Sequence, residues 1–275
     1  MAQPHIAIIG AGHIGKALAR GFLAAGKSDT EHLAATIPSQ EKASHLAEDL
    51  GIQVGTSNPD AVTQADVVIF SVKPQVLPAV LREVVDTVTP DKLVVSVAAG
   101  IQTRFIEETL DQEVPVVRLM PNVAVVAQQG STGMTSGRWV DGEQAAFVKD
   151  LFSSVGLVME VEEDLMDAVT GLSGTGPMYI FQVIEGLADA GVKVGLSRDQ
   201  AYALAVQTTL GSAMMARDYG RHPGHLKDLV TSPAGTAIAA LHLMERSGFR
   251  AILMDAVEAA AQRSGELGRM HMKKG

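Results

Sequence analysis

Residues 6–15 of the chain read Ile-Ala-Ile-Ile-Gly-Ala-Gly-His-Ile-Gly, and the fold class is most readily predicted from these ten residues. Ile6 to Ile9 form a short apolar run rich in β-branched side chains, which predicts a buried strand. A turn rich in glycine follows, and apolar residues at helical spacing continue from Ile14 to Ala25. The stretch therefore predicts a strand, a tight turn and a helix in direct succession.

Each glycine of this turn has a physical task. Gly10 allows the tight turn, Gly12 lets the backbone approach a bound pyrophosphate, and Gly15 lets the helix pack closely on the strand. The start of the helix adds free N–H groups and the positive end of its dipole. The dinucleotide-binding site that this context predicts comprises Gly10, Ala11, Gly12, His13, Ile14 and Gly15.

Strands and helices alternate through the first half of the chain. This alternation predicts βαβ units and a doubly wound, mostly parallel sheet, so the expected fold class is α/β. The apolar runs that we interpret as further strands lie at residues 33–36, 52–54, 67–72, 93–97, 114–118, 131–135 and 157–161. Asn58 and Pro59 form the pair of N-cap and first helical residue that predicts the start of a helix, and Ser39 is a candidate N-cap for the helix before it.

The second half of the chain has a different character. The β-branched runs stop, and helical stretches rich in Ala, Gly and Met begin, so we expect domains at 1–162 and 163–275. The first would bind NAD(P), and the second would be all-α. The helix expected at 201–216 is apolar or small on nearly every face, which is typical of a helix buried all round. A domain of about 110 residues hardly buries several such helices alone, so a homodimer is predicted.

Three more loops follow the carboxyl ends of predicted strands, the edge at which open parallel sheets bind ligands. Each loop is also compatible with an ordinary turn. The second strand ends at Thr36, and no carboxylate before Glu41 is available to accept the ribose hydroxyls. NADPH is therefore favoured as the cofactor, and NADH stays open. The cofactor-binding candidates in the three loops are Val72, Lys73 and Pro74, then Ala98 and Gly100, and then Asn122.

A second ligand site is expected where a loop rich in small residues, Ser232 to Ala237, enters a helix. Free N–H groups at Gly235, Thr236 and Ala237 would bind a small carboxylate there. The alternative is a plain N-cap by Ser232.

Composition excludes several classes of partner and site. The net charge of −9 and the pI near 5.3 argue against nucleic acid or a membrane as a partner. The chain has no cysteine, which excludes disulfides and thiolate metal sites, and no other metal site is expected. No apolar run approaches the roughly 20 residues of a membrane span and no secretory signal is evident, so we expect a cytoplasmic protein.

Several motifs together, in their order along the chain, resemble the pyrroline-5-carboxylate reductase family. The resemblance covers essentially the whole chain. It implies a Rossmann domain, a helical dimerisation domain and assembly into dimers or larger rings of dimers. It also implies reduction of the C=N bond of 1-pyrroline-5-carboxylate by NAD(P)H, which gives L-proline in the last step of its biosynthesis. The motifs are Gly10–Gly15, Val72–Pro74, Ser96–Gly100, Arg118–Asn122, Glu162–Thr170, Gly171–Pro177 and Ser232–Gly235.

The resemblance also implies roles for individual residues. Glu163 and the loop from Ser232 to Ala237 would approach the substrate, a cyclic imino acid. A water, the Thr236 hydroxyl or Glu163 would hold the ring N–H, and the residues leave this choice open. The residues that would approach the cofactor are Thr36, Asn58, Lys73, Pro74, Ala98 and Gly100.

Two positions depart from the family pattern. Ala237 stands where the family has threonine, so that the hydroxyl lies on Thr236 instead, and Leu229 stands where an asparagine is expected. These departures keep open a different cyclic imino acid as substrate, or a non-catalytic regulator that binds NAD(P)H. A β-hydroxyacid dehydrogenase is a further alternative. Ile180 and Ile184 replace the lysine and asparagine of that family, and isoleucine cannot take up a hydroxyl proton.

Overall fold

The computed structural model describes residues 3–272. Contacts between residues divide the chain into two compact units. Unit 1 holds the chain up to Thr175 and again from Glu258, and unit 2 holds Gly176–Val257. The limits of these units differ from the domains expected at 1–162 and 163–275, and that division stays a prediction.

Within the described residues, unit 1 contains one sheet of eight strands in the order β3-β2-β1-β4-β5-β6-β7-β8. Neighbouring strands run parallel, except for the antiparallel pair β6 and β7. The strand order reverses at β1, as it does in a doubly wound α/β sheet, which confirms the expected fold class. The strands are β1 (Ile6–Ile9), β2 (Leu33–Thr36), β3 (Gln53–Gly55), β4 (Val67–Phe70), β5 (Leu93–Ser96), β6 (Val116–Pro121), β7 (Gly130–Ser136) and β8 (Gly156–Glu160).

Helices follow most strands of unit 1 and make up unit 2. The first seven are α1 (His13–Ala24), α2 (Gln40–Leu50), α3 (Asn58–Thr63), α4 (Leu77–Val84), α5 (Thr103–Leu110), α6 (Gly142–Ser153) and α7 (Met166–Val169). The last five are α8 (Gly176–Lys193), α9 (Arg198–Tyr219), α10 (Pro223–Val230), α11 (Thr236–Arg246) and α12 (Phe249–Met272). In the part of the chain that is described, no helix combines the length and the apolar character needed to cross a bilayer.

An apolar core lies on each face of the sheet. Side chains of a strand point alternately to the two faces, so Ile6 and Ile8 join one core while Ala7 and Ile9 join the other. The first core includes side chains of α1, α2 and α6, and the second includes side chains of α3, α4 and α5. The rings of Phe22 and Phe152 meet edge to face at 5.4 Å in the first core. Packing of these two cores against the sheet fixes the position of each strand, and therefore the place where its carboxyl end lies.

Serine side chains cap α2 and α3. Ser39 caps α2 by accepting a hydrogen bond from the amide of Lys42, as the sequence predicts. The prediction that Asn58 caps α3 is wrong, because Ser57 accepts the amide hydrogen of Asp60. Asn58 is the first residue of α3, and its side chain is therefore available for partners elsewhere in the fold.

Unit 2 exposes large apolar side chains on its helices. On α9, Leu204 is 56% exposed and Tyr202 is 59% exposed. Met214 and Met215 of the same helix are exposed as well. Burial of a helix that is apolar or small all round thus requires a surface beyond this single chain.

The Gly156→Ala variant tests the pairing of β7 with β8. Gly156 has a φ of +144°, and a Cβ there would lie 2.0 Å from the carbonyl oxygen of Gly130. We expect the free energy of unfolding to fall by about 3 kcal/mol, because backbone strain adds to a steric clash. Gly142→Ala is the matched control, since its Cβ would meet no atom within 4 Å. Urea unfolding at one protein concentration measures both variants, and equal stability would contradict the pairing.

Candidate active site

The turn after β1 is closed by contacts that only glycine permits. Gly10 has a φ of +91°, and a Cβ there would lie 2.5 Å from Cγ1 of Val72. A Cβ on Gly15 would lie 2.7 Å from the carbonyl oxygen of Gly10 and 3.1 Å from Ile8. β1, the loop after β4 and α1 therefore meet at van der Waals distance around bare backbone.

Gly12 differs from Gly10 and Gly15, because a Cβ there would meet no atom within 4 Å. Gly12 caps α1, and no protein acceptor within residues 3–272 is recorded for the amides of His13 and Ile14. Gly12 and His13 are exposed. An open glycine beside unpaired amides and a positive helix end fits the pyrophosphate of a dinucleotide.

Thr36 and Asn58 hold this turn in place through a chain of hydrogen bonds. The Thr36 hydroxyl accepts a hydrogen bond from the amide of Gly10 at 3.3 Å and donates one to Asn58 Oδ1 at 2.7 Å. The Asn58 amide group in turn donates to Glu83 at 2.9 Å. Thr36 is only 2% exposed and its hydroxyl is engaged, so it positions the turn, and its predicted contact with the cofactor stays a prediction. In α2, Lys42 is the exposed cation closest in sequence to the end of β2.

The loops after β4 and β5 line a cavity of about 240 Å³ within unit 1. Pro74 and Gly100 lie in its wall, and their predicted contact with the cofactor stays a prediction. Val72 packs on Gly10, Lys73 is exposed, and Ala98 is buried with its amide donating to Ser96 Oγ. The rest of the lining comes from residues that were not predicted individually as ligand contacts, although Ala99, Thr170 and Thr175 lie within the quoted motifs. These residues are Gln75, Ala99, Thr170, Thr175, Ala260, Arg263, Ser264 and Leu267.

The segment after α7 forms a π-helical turn, Thr170–Gly174. The Thr175 amide and hydroxyl both donate to the Thr170 carbonyl, at 2.9 and 3.0 Å. A Cβ on Gly174 would lie 2.7 Å from the Met120 methyl. Gly174 thus allows the π-helical turn to pack closely on Met120 of β6, and π-helical turns are frequent at functional sites.

Asn122, a predicted cofactor contact, joins the end of β6 to two other segments. Its Nδ2 donates to the Ser173 carbonyl at 3.0 Å, and its Oδ1 accepts from the amides of Ala124 and Ser131 at 3.1 and 3.2 Å. Its carboxamide therefore braces the π-helical turn, and its predicted contact with the cofactor stays a prediction.

Glu163, the predicted substrate contact, is engaged within unit 1. One carboxylate oxygen pairs with Arg118 Nη1, and the other accepts the Thr103 hydroxyl at 2.9 Å. Arg118 is 3% exposed, and no acceptor among residues 3–272 is recorded for its Nε and Nη2. Arg118 also lines a polar cavity of about 120 Å³, which is large enough for ordered water. Arg118 and Thr103 were not predicted as partners of Glu163, and the available signal was an arginine inside an apolar strand.

The predicted carboxylate loop lies in unit 2. Gly235 is the N-cap of α11 and no side chain caps this helix, so the alternative of a Ser232 cap is wrong. The Gly235 amide donates to the Ser232 carbonyl at 3.1 Å and is not free. No protein acceptor in the described part of the chain is recorded for the amides of Thr236 and Ala237. Ala234 has a φ of +55°, in the left-handed region that glycine prefers.

The Gly12→Ala variant tests the phosphate cradle directly. We expect it to fold with a loss of at most about 1 kcal/mol, because Gly12 is an N-cap with room for a methyl group. We expect its Kd for NADPH to rise by at least about tenfold, because the methyl group occupies the space that the pyrophosphate needs. Fluorescence titration measures the Kd, and Gly142→Ala is the control. An unchanged Kd with Gly12→Ala would rule out this cradle.

Two family models match the chain. One, described as pyrroline-5-carboxylate reductase dimerisation, matches residues 163–267. The other, described as NADP oxidoreductase, coenzyme F420-dependent, matches residues 5–100. The two matches fall in the helical part and in the first half of the sheet.

Relatives match over nearly the full length. The chain is 44% identical to the pyrroline-5-carboxylate reductase of Methanosarcina acetivorans, over 98% of this chain and 100% of that one. It is 43% identical to that of Arabidopsis thaliana, over 96% and 95%. A solved pyrroline-5-carboxylate reductase from Coxiella burnetii superposes with a TM-score of 0.91 at 33% identity, covering 97% of this chain and 99% of that one. One from Plasmodium falciparum with NADP bound gives 0.87 at 32% identity, covering 98% and 99%. Identity at this level along almost the whole sequence shows that the chain belongs to the pyrroline-5-carboxylate reductase family.

Proposed function

We propose that the chain is an NADPH-dependent pyrroline-5-carboxylate reductase, an oxidoreductase that reduces the C=N bond of 1-pyrroline-5-carboxylate to give L-proline. One observation carries the proposal. A dinucleotide cradle with an open Gly12 occurs in a chain that is 44% identical to a pyrroline-5-carboxylate reductase over 98% of its length. The proposed cofactor contacts are the turn from Gly10 to Gly15 and the cavity residues Pro74 and Gly100.

The substrate carries a carboxylate, and unit 2 offers a place to bind one. The amides of Thr236 and Ala237 begin α11, where the helix dipole favours a negative charge. Backbone amides hold an anion without help from a side chain. The proposed carboxylate contact therefore tolerates the alanine at position 237.

Reduction of a cyclic imine needs placement more than strong acid catalysis, because the ring nitrogen is readily protonated. When bound, the reduced nicotinamide supplies the hydride that the iminium carbon accepts. Glu163 is already engaged by Arg118 and Thr103, so we do not assign it to the ring nitrogen. We assign that contact to the exposed hydroxyl of Thr236.

The choice of NADPH rests on charge at the end of β2. No carboxylate occurs there before Glu41, and Lys42 is an exposed cation nearby in α2. The related structure from Plasmodium falciparum has NADP bound. A cytoplasmic location is part of the proposal, since a chain without cysteine needs no oxidising compartment.

The proposal includes a homodimer and, beyond it, a ring of dimers. The family model that matches the helical part describes dimerisation. The exposed apolar side chains of α9, such as Leu204 and Tyr202, are the surface that we assign to the contact between copies.

Steady-state kinetics with NADPH and NADH against five- and six-membered cyclic imino acids tests the proposed function. We expect NADPH oxidation with 1-pyrroline-5-carboxylate, formation of one proline for each NADPH oxidised, and a higher kcat/KM for NADPH than for NADH. We expect no NADP⁺ reduction with β-hydroxyacids, because Ile180 and Ile184 cannot accept a hydroxyl proton. Binding of NADPH without turnover of any cyclic imine would contradict the proposal.

That outcome would instead favour the second candidate, a regulator that binds NAD(P)H without catalysis. The observation behind it is that Ala237 and Leu229 replace polar residues of the family pattern. The regulator would retain the Gly12 cradle, so cofactor binding alone does not separate the two candidates.

A pair of variants in the carboxylate loop tests the role of its hydroxyl. Hydrogen bonds to charged groups are worth about 1.5–3 kcal/mol, so Thr236→Val is expected to lower kcat/KM for the imine by at least about tenfold. Ala237→Thr adds a second hydroxyl and is expected to raise kcat/KM. KM for NADPH serves as the internal control and should not change. If neither variant changed kcat/KM, the loop would act through its backbone alone and our assignment of Thr236 would be wrong.

A further inference from the structure

The last part of α12 belongs to a different compact unit from its first part. The helix begins at Phe249, but from Glu258 its contacts are with the sheet unit. Four residues of this part line the cavity of about 240 Å³ that also contains Pro74 and Gly100. These four residues, which we call the α12 wall, are Ala260, Arg263, Ser264 and Leu267.

A partly buried hydrogen bond joins the α12 wall to α7. Ser264 is 5% exposed, and its hydroxyl donates to Asp167 Oδ1 at 2.6 Å. A short bond from a hydroxyl to a carboxylate is stronger than a bond between neutral groups. Loss of the hydroxyl would leave a carboxylate oxygen of Asp167 without this donor, which is costly in a buried setting.

Contact between two glycines sets the distance of the α12 wall from the loop after β5. A Cβ on Gly268 would lie 2.7 Å from the carbonyl oxygen of Gly100. Gly100 has a φ of +74°, and its own Cβ would lie 3.4 Å from Cα of Gly268. Helix backbone and loop backbone therefore touch directly, and any side chain at position 268 would push them apart.

The chemistry of the cavity suits a flat, largely apolar ring. Ala260, Leu267 and Pro74 present apolar surface to the cavity. Gly100 has no side chain and contributes only its backbone. Arg263 is exposed at the rim and pairs with Glu266 at 2.6 Å. This wall would exclude water from one side of such a ring.

We propose that Ser264 and Gly268 are positioning residues for hydride transfer, which seat the α12 wall against the nicotinamide of NADPH by way of Asp167 and Gly100. The inference rests on the proposed function for the identity of the ring. Neither residue needs to touch the cofactor, because each acts through its partner. Small errors of placement are costly in such a reaction, since a shift of about 1 Å can reduce the rate by about 100-fold.

Ser264→Ala and Gly268→Ala test the proposal in the full-length enzyme. We expect each to lower kcat by about tenfold or more and to reveal a deuterium isotope effect with NADPH labelled at the transferred position. The Kd for NADPH should change by less than about threefold, because the Gly12 cradle holds the phosphates. Ser264→Thr keeps the hydroxyl and should restore kcat. Ser44→Ala, an exposed serine of α2, is the control for loss of a helical hydroxyl.

Two readouts are independent of turnover. Fluorescence of bound NADPH reports water at the nicotinamide, and we expect its enhancement to fall toward that of free NADPH in both alanine variants. Hydrogen exchange should show that NADPH slows exchange of amides in residues 258–270 of the wild type, and less so in Gly268→Ala.

The outcomes separate this proposal from the proposed function. A wild type that binds NADPH but reduces no cyclic imine would overturn the proposed function, while fluorescence and exchange would still report on the wall. An active enzyme in which Ser264→Ala and Gly268→Ala keep wild-type kcat, fluorescence and exchange would overturn the wall alone. If Gly268→Ala does not fold, the results for Ser264→Ala and Ser264→Thr decide whether the proposal holds.

Discussion

The first amides of an α-helix have no acceptor within the helix, and the candidate cofactor site depends on keeping those of α1 open at the edge of the sheet. Side chains at two positions would destroy this arrangement. A Cβ on Gly10 would strike Val72, and one on Gly15 would strike the Gly10 carbonyl. Because both positions are glycine, the chain turns sharply after β1, α1 packs on the strand, and Gly12 stands clear of protein atoms.

Around that opening, several polar side chains that the sequence marks as ligands act as braces. Thr36 holds the Gly10 amide and Asn58, and Asn122 joins the end of β6 to the π-helical turn. Glu163 joins Arg118 of β6 to the start of α5. Buried polar groups need partners, and here protein groups supply them. We therefore expect ligands to be bound mainly by backbone amides, which are still present when a side chain is substituted.

The fold near the first glycine could be predicted because its signals are local. A β-branched run, a glycine turn and helical spacing lie next to each other in sequence, and the same holds for the Ser39 cap. The sequence could not show that Ser57, and not Asn58, caps α3, because two adjacent polar residues compete for the N-cap position. The side chain of Asn58 instead bonds to Thr36 and Glu83, which are distant in sequence. The α12 wall could not be predicted from local sequence, because Ser264 bonds to Asp167, which lies 97 residues earlier in the chain. Ser264 and Gly268 look like ordinary helix residues until the fold brings the first to Asp167 and the second to Gly100.

A crystal structure of the enzyme with NADPH bound would show which groups of the chain hold the pyrophosphate. We expect oxygens of the pyrophosphate to lie about 3 Å from the amides of His13 and Ile14, with no side chain between them. We also expect the glycine turn to keep the backbone conformation that it has without the cofactor, in which the Gly12 amide donates to the Gly10 carbonyl. A pyrophosphate held by side chains elsewhere on the chain, with the amides at the start of α1 left to solvent, would contradict the account.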